Sequence, residues 1–140
     1  MRPFYESQAH RDAEEKLRKK FERASGYYLH KVPFSYGVDY ACTDDDQVKA
    51  FAELKVRTNK YKEYPTYLLS YQKCLKAQYL KKTVYLVVQF EDGAYKCNLT
   101  NVLSGYNGVW MGGRKDRNDW MDIEPCVHIP IGLFTPLKNE

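Results

Sequence analysis

The stretch "YGVDYACTDDDQVKAFAELKVRT", residues 36 to 58, decides the fold, because it sets five acidic side chains among small and apolar ones. Within "VKAFAELKV" (48–56), apolar and charged residues alternate with the period of two that marks a strand. Phe51, Glu53, Lys55 and Arg57 fall on one face, and Ala50, Ala52, Leu54 and Val56 on the other. The second face is core. The first carries charges that are costly to bury unless they are paired or bind something. The preceding "YGVDYAC" (36–42) also reads as a strand, with Val38 and Tyr40 sharing one face and Gly37, Asp39 and Ala41 the other. Asp39 then stands on a face of small residues, with room beside it.

Consecutive aspartates point in different directions, so "TDDD" (43–46) reads as a solvated turn and not as a metal site of its own. A hairpin closed around it brings Asp39 close to Glu53. Two carboxylates that close repel each other unless a cation joins them or one stays protonated. Lys55 offsets part of this repulsion, and a divalent metal offsets more. Oxygen ligands alone favour a hard ion, Mg²⁺ or Mn²⁺.

Working outward, residues 6 to about 24 read as a helix, with Ala13, Leu17, Phe21 and Ala24 at helical spacing and Gly26 as its stop. "YYLHKVP" (27–33) is a short strand and "RTNKYKEYP" (57–65) a polar loop. "TYLLSYQKCLKAQYL" (66–80) either opens extended with Ser70 capping the helix that follows, which is the preferred reading, or is helical from Thr66. "TVYLVVQF" (83–90) is a buried strand, and "EDG" turns into "AYKCNL" (94–99). Beyond it the chain is turn-rich, with strands expected around "YNGVWMGGRKDRNDW" and in "CVHIPIGLF". This order describes a single α/β or α+β domain around a mixed sheet, a fair size for 140 residues.

Composition excludes several classes of function. Four cysteines stand far apart with no CxxC or Cys–His cluster, which argues against structural zinc and for free thiols in a reducing compartment. "MRPFYESQAHRDAEEK" lacks the apolar segment of a signal peptide, so the expected location is the cytoplasm, or a host's cytoplasm for a viral protein. The longest apolar run, "VYLVV", is far too short to span a bilayer. The three histidines show no paired spacing, no Ser/His or Cys/His arrangement suggests covalent catalysis, and no Walker-type glycine loop is present. The net charge of +4 is mild and compatible with a polyanionic partner.

"VDYACTDDDQVKAFAELK" (38–55) resembles the core of the PD-(D/E)xK nuclease superfamily: an acidic residue on one strand, then E-x-K on the next. A leading helix, three strands, a helix and a further strand match that superfamily over residues 6 to about 90, although Val38 stands where its name has proline. The tract "ELKVRTNKYKEYPTYLLSYQKC" (53–74) also resembles small phage-encoded members. The resemblance implies a restriction-endonuclease-like α-β-β-β-α-β core around a central mixed sheet, with a C-terminal β extension from about residue 91. It implies a Mg²⁺-dependent nuclease, with Mn²⁺ able to substitute, hydrolysing phosphodiester bonds in DNA. Asp39, Glu53 and the backbone carbonyl of Leu54 would hold the ion, with Lys55 beside the attacking water.

Family members often add a glutamate from the first helix. Glu14 lies about 60° round the helix from Leu17, toward Ala13 and Phe21, whereas Glu15 lies nearly opposite. Glu14 is therefore the expected contributor, against the plainer reading of a solvated glutamate paired with Arg18 at i+4. The first turn of the family's second helix often supplies a polar residue, and here it holds Gln72 and Lys73. A lysine there opposes the helix dipole, which asks for a local reason.

Nucleic acid is the expected partner, DNA first. "RTNKYKEY" interleaves Arg57, Lys60 and Lys62 with Tyr61 and Tyr64, offering phosphate contacts and stacking planes. "GGRKDR" sets Arg114, Lys115 and Arg117 on a glycine-rich loop. Both loops also read as merely solvated. With few residues beyond the core, a homodimer or a protein partner fits as well. The rival readings are a non-catalytic nucleic-acid-binding or interaction protein on the same fold, and a structural Glu53–Lys55 pair that only sets strand register.

Overall fold

The computed structural model describes residues 8–104, 110–113 and 125–138. Helix α1 (Gln8–Ser25) buries Leu17 and Phe21, one turn apart on the face that meets the sheet. Each contributes about 1.5–3 kcal/mol by leaving water. The helix ends where Gly26, at φ +81°, donates its N–H to the Glu22 carbonyl at 2.9 Å.

Strands β1 (Tyr28–Lys31), β2 (Tyr40–Asp44) and β3 (Gln47–Val56) form an antiparallel meander. Asp45 and Asp46 both take positive φ, +50° and +61°, and make the tight two-residue turn between β2 and β3. Asp44 thus belongs to β2, where it faces Gln47. After the loop 57–65 come β4 (Thr66–Ser70), α2 (Tyr71–Tyr79), β5 (Thr83–Phe90), β6 (Gly93–Asn98) and α3 (Leu99–Ser104). Strands β7 (Trp110–Gly113), β8 (Pro125–Pro130) and β9 (Thr135–Pro136) follow.

The main sheet runs β1-β2-β3-β5-β6-β9 and is mixed: β3 and β5 pair in parallel and the other pairs are antiparallel. A second, antiparallel sheet runs β4-β8-β7. On one side of the main sheet, Leu17 and Phe21 of α1 pack on Tyr40, Cys42, Ala50, Ala52, Leu54 and Val87. On the other side, α2, α3 and the small sheet close over Ala41, Phe51, Leu86 and Val88, through Cys74, Val102, Tyr67 and Ile129 among others. The expected mixed-sheet α+β architecture is present, and no described helix is long and apolar enough to cross a membrane.

Four local features differ from expectation. Val38 does not share a face with Tyr40: it packs with Ala41 on the α2 side, because the chain at 34–36 is a 3-10 turn and Gly37 is left-handed. Residues 66–70 are a full strand of a separate sheet, so a fourth strand precedes α2. Ser70 stands at the α2 N-terminus but makes no side-chain cap bond. Helix α3 was not expected at all. Its start is capped by Asn98, whose Oδ1 accepts the Asn101 N–H at 3.1 Å.

Candidate active site

Gly37 sets the site's geometry. At φ +76° it turns the chain into β2, and a Cβ there would lie 2.3 Å from Lys76 Cδ, so no other residue fits without displacing that side chain. Two residues on, Asp39 is stitched between neighbouring strands. Its N–H donates to the Ala52 carbonyl at 3.2 Å, its carbonyl accepts the Val32 N–H at 3.1 Å, and its Oδ2 accepts the Leu54 N–H at 3.0 Å. Carbonyls two residues apart along a strand point the same way, so the Leu54 carbonyl, like that of Ala52, faces the Asp39 side of β3.

Glu53 projects from the other face of β3 relative to Leu54 and is only 3% exposed. Lys73, in the first turn of α2, puts Nζ 3.0 Å from Glu53 Oε1 and donates to Oε2 at 3.3 Å and to the Gly37 carbonyl at 3.1 Å. Lys55 Nζ lies 3.4 Å from Oε1. Burial, and after it the negative charge of Asp39, raises the Glu53 carboxyl above the usual carboxylate range, against the pull of Lys55 and Lys73. Although both ammoniums lie close, neither directs a well-aligned hydrogen bond at the buried Oε1. Their contact with that oxygen is one of charge.

Such an oxygen, beside a second carboxylate and a backbone carbonyl, suits a hard divalent ion. The donors are all oxygen, which fits Mg²⁺ or Mn²⁺ and not a thiophilic metal. No set of three or more His, Cys, Asp or Glu side chains able to share one ion occurs among the described residues, so the fit rests on Asp39, Glu53 and the Leu54 carbonyl.

The remaining candidates divide. Lys73 is brought to Glu53, which supplies the local reason for a lysine at that helix start, while Gln72 stands exposed on α2. Glu14 does turn toward the sheet, as its helical phase requires, but it meets Tyr40, whose hydroxyl donates to Glu14 Oε2 at 3.3 Å, with Lys31 Nζ at 4.0 Å. Tyr40 belongs to the α1 layer, so Glu14 is not gathered with Asp39 and Glu53 into one three-carboxylate set. Arg18 pairs with Glu15 and Glu22, not with Glu14.

Arg57 continues the charged face past Lys55, its guanidinium over the Tyr67 ring at 5.2 Å from the centroid. Lys60 and Lys62 are exposed. Tyr61 corrects an expectation: its ring stacks on Tyr95 at 3.8 Å and its hydroxyl donates to the Ile131 carbonyl at 2.9 Å. It anchors the loop instead of offering a stacking plane. Arg114, Lys115 and Arg117 lie outside the described residues. Gly37 is the residue that strand periodicity concealed, and its signal was a glycine two positions before the acidic residue.

Comparison with curated proteins finds no match. Among solved structures, the chain is similar to Hjc, a Holliday junction resolvase from the archaeal hyperthermophile Archaeoglobus fulgidus, with a TM-score of 0.51 at 12% identity. The match covers 91% of this chain and 87% of that one, and at such identity the likeness is one of fold. The model of the family described as "Phage putative PDDEXK endonuclease" matches residues 1–137, and the chain belongs to that nuclease family.

Proposed function

We propose that the protein is a Mg²⁺-dependent deoxyribonuclease, with Mn²⁺ able to substitute, whose centre is Asp39, Glu53 and Lys55. The observation that carries this reading is the buried Glu53, set beside Asp39 with Lys55 on the same strand face. A protein that needed only strand register would not bury a carboxylate next to another one, since burial disfavours its charge and the neighbour adds repulsion.

Hydrolysis adds water oxygen to phosphorus, breaks one P–O ester bond and leaves a proton to be placed on the departing alkoxide. Asp39 and Glu53, with the Leu54 carbonyl, would hold a divalent ion that lowers the pKa of water and neutralises phosphate charge. Asp39 is kept in place by the Leu54 N–H. Lys55, one-third exposed, reaches from Glu53 toward solvent, where its ammonium orients the nucleophile and stabilises negative charge on the phosphoryl oxygens. Lys73 is a positioning residue that ties Glu53 to the Gly37 turn. Arg57, Lys60 and Lys62 supply phosphate contacts along the strand end and its loop.

The test incubates purified protein with linear duplex, circular duplex and single-stranded DNA, each with Mg²⁺, with Mn²⁺ and with chelator, alongside Lys55→Ala. Metal-dependent cutting that is lost in the folded variant is the expected result. DNA binding without cutting under any of these conditions transfers the assignment to a non-catalytic binding protein.

A further inference from the structure

Beyond Lys55 the charged face of β3 runs into a cleft of about 350 Å³. Its lining includes Arg57, Tyr64, Pro65, Leu68, His128 and Ile131. Residues two apart on an extended chain stand about 7 Å from each other, so Arg57, just past the end of β3, brings the cleft's lining close to Lys55. The volume sits at the small end of the range for ligand sites, too little for a strand or a helix of nucleic acid. Pro65, Leu68 and Ile131 give it apolar walls, which nothing in a phosphate chain complements.

We propose that this cleft receives a single unpaired nucleobase of the DNA, so that the substrate class is DNA with an unpaired nucleotide beside the cut. The proposal rests on the nuclease reading above and names the substrate of that same site. Arg57, its guanidinium over the Tyr67 ring, offers both a cation and a planar group for a base. Tyr64 is 56% exposed at the rim, and its ring is available to a base on a loop that Tyr61 anchors. Thr66 Oγ1 and His128 Nδ1, hydrogen-bonded to each other at 3.3 Å, form the polar part of the wall. A base inside a continuous duplex has both faces covered by its neighbours and cannot enter without leaving the stack, whereas an unpaired base enters at little cost. A cleft built for duplex backbone would show the opposite chemistry, a groove rich in lysine and arginine with few apolar walls.

The experiment measures fluorescence anisotropy in chelator, so that no probe is consumed. Three labelled duplexes serve: one fully paired, one with a single unpaired thymidine, and one with an abasic residue in place of that thymidine. The last two share the same backbone distortion and differ only in the base. The intact protein is expected to bind the thymidine bulge about tenfold more tightly than the abasic bulge. Tyr64→Ala should erase that difference, and Tyr64→Phe, which keeps the ring, should retain it. Equal binding of the two bulges by the intact protein overturns the assignment, as does a base-dependent difference that survives in Tyr64→Ala. Metal-dependent cutting with no base effect removes the cleft assignment and leaves the nuclease reading intact. A base effect without cutting at any metal keeps the base-binding cleft but removes the nuclease reading and, with it, the substrate assignment.

Discussion

The two faces of β3 belong to one strand and obey opposite rules. Toward α1, Ala50, Ala52 and Leu54 are apolar and sealed under Leu17 and Phe21. Toward α2, Phe51 is buried apolar, Glu53 is buried and charged, and Lys55 is part-exposed beside it. The first face is what any central strand needs. The second departs from it over two residues, at the point where the chain entering β2 curls away at Gly37 and leaves Asp39 beside β3. A charge placed where packing would favour a hydrophobe is what points to the proposed site, because it costs stability and its return must be looked for in chemistry.

If this contrast is right, substitutions on the two faces should fail in different ways. Phe21→Ala, on the α1 side, is expected to cost about 3–5 kcal/mol of folding stability, measured by urea unfolding. Its folded fraction should still cut DNA. Lys55→Ala should invert the pattern: a cleavage rate lower by about 10²–10³-fold, with an unfolding midpoint close to that of the intact protein. Equal losses of stability from both substitutions would mean that the charged face is only another part of the core.

A smaller effect sharpens the geometric side of the comparison. Gly37→Ala forces a Cβ into Lys76 and a side chain into a left-handed conformation, which should cost about 1–3 kcal/mol. Because Lys73 holds the Gly37 carbonyl and Glu53 together, the variant should also slow cleavage, and Gly26→Ala, with open space around it, should cost stability without slowing cleavage.

A further effect appears only in alkali. Burial pushes the thiols of Cys42, on the α1 side, and Cys97, on the other, up to about 12 from an ordinary 9.0. Below pH 9 both folded and unfolded chains keep these protons, so nothing changes. Between about pH 9 and 12 the unfolded chain loses them first, and thermal stability should fall as pH rises through that window. Cys42→Ala and Cys97→Ala should each flatten the decline.

Much of this was legible in the sequence because it is local. Alternation in "VKAFAELKV" placed Glu53 and Lys55 on one face, and the apolar run 83–90 coincides with β5. Helical phase sets Glu14 toward the sheet and Glu15 toward water; Glu14 meets Tyr40, and the Arg18 pair weighed for Glu14 is made by Glu15 instead. What escaped depended on partners distant in the chain. The second sheet forms only when 66–70 meets 125–130, and the strand pattern of either segment does not name the other. Period-two counting puts Val38 on the wrong face because it assumes an unbroken strand, and Gly37 breaks it. The local signal for α3 is Asn98 itself, an asparagine of the kind favoured at helix N-caps. Tyr61 shows the limit of composition: a tyrosine between lysines looks like a stacking platform until Tyr95 is found against it.

The most direct test is single-turnover cleavage of labelled DNA with Mg²⁺ by the intact protein, by Asp39→Asn, Glu53→Gln and Lys55→Ala, and by the triple variant, each shown to be folded. Groups that act as one catalytic unit lose rate non-additively. The account predicts metal-dependent cutting by the intact protein, a large loss in every single variant, and little further loss in the triple variant. Cutting by the single variants at the rate of the intact protein would contradict it, and so would an intact protein that never cuts with Mg²⁺ or Mn²⁺.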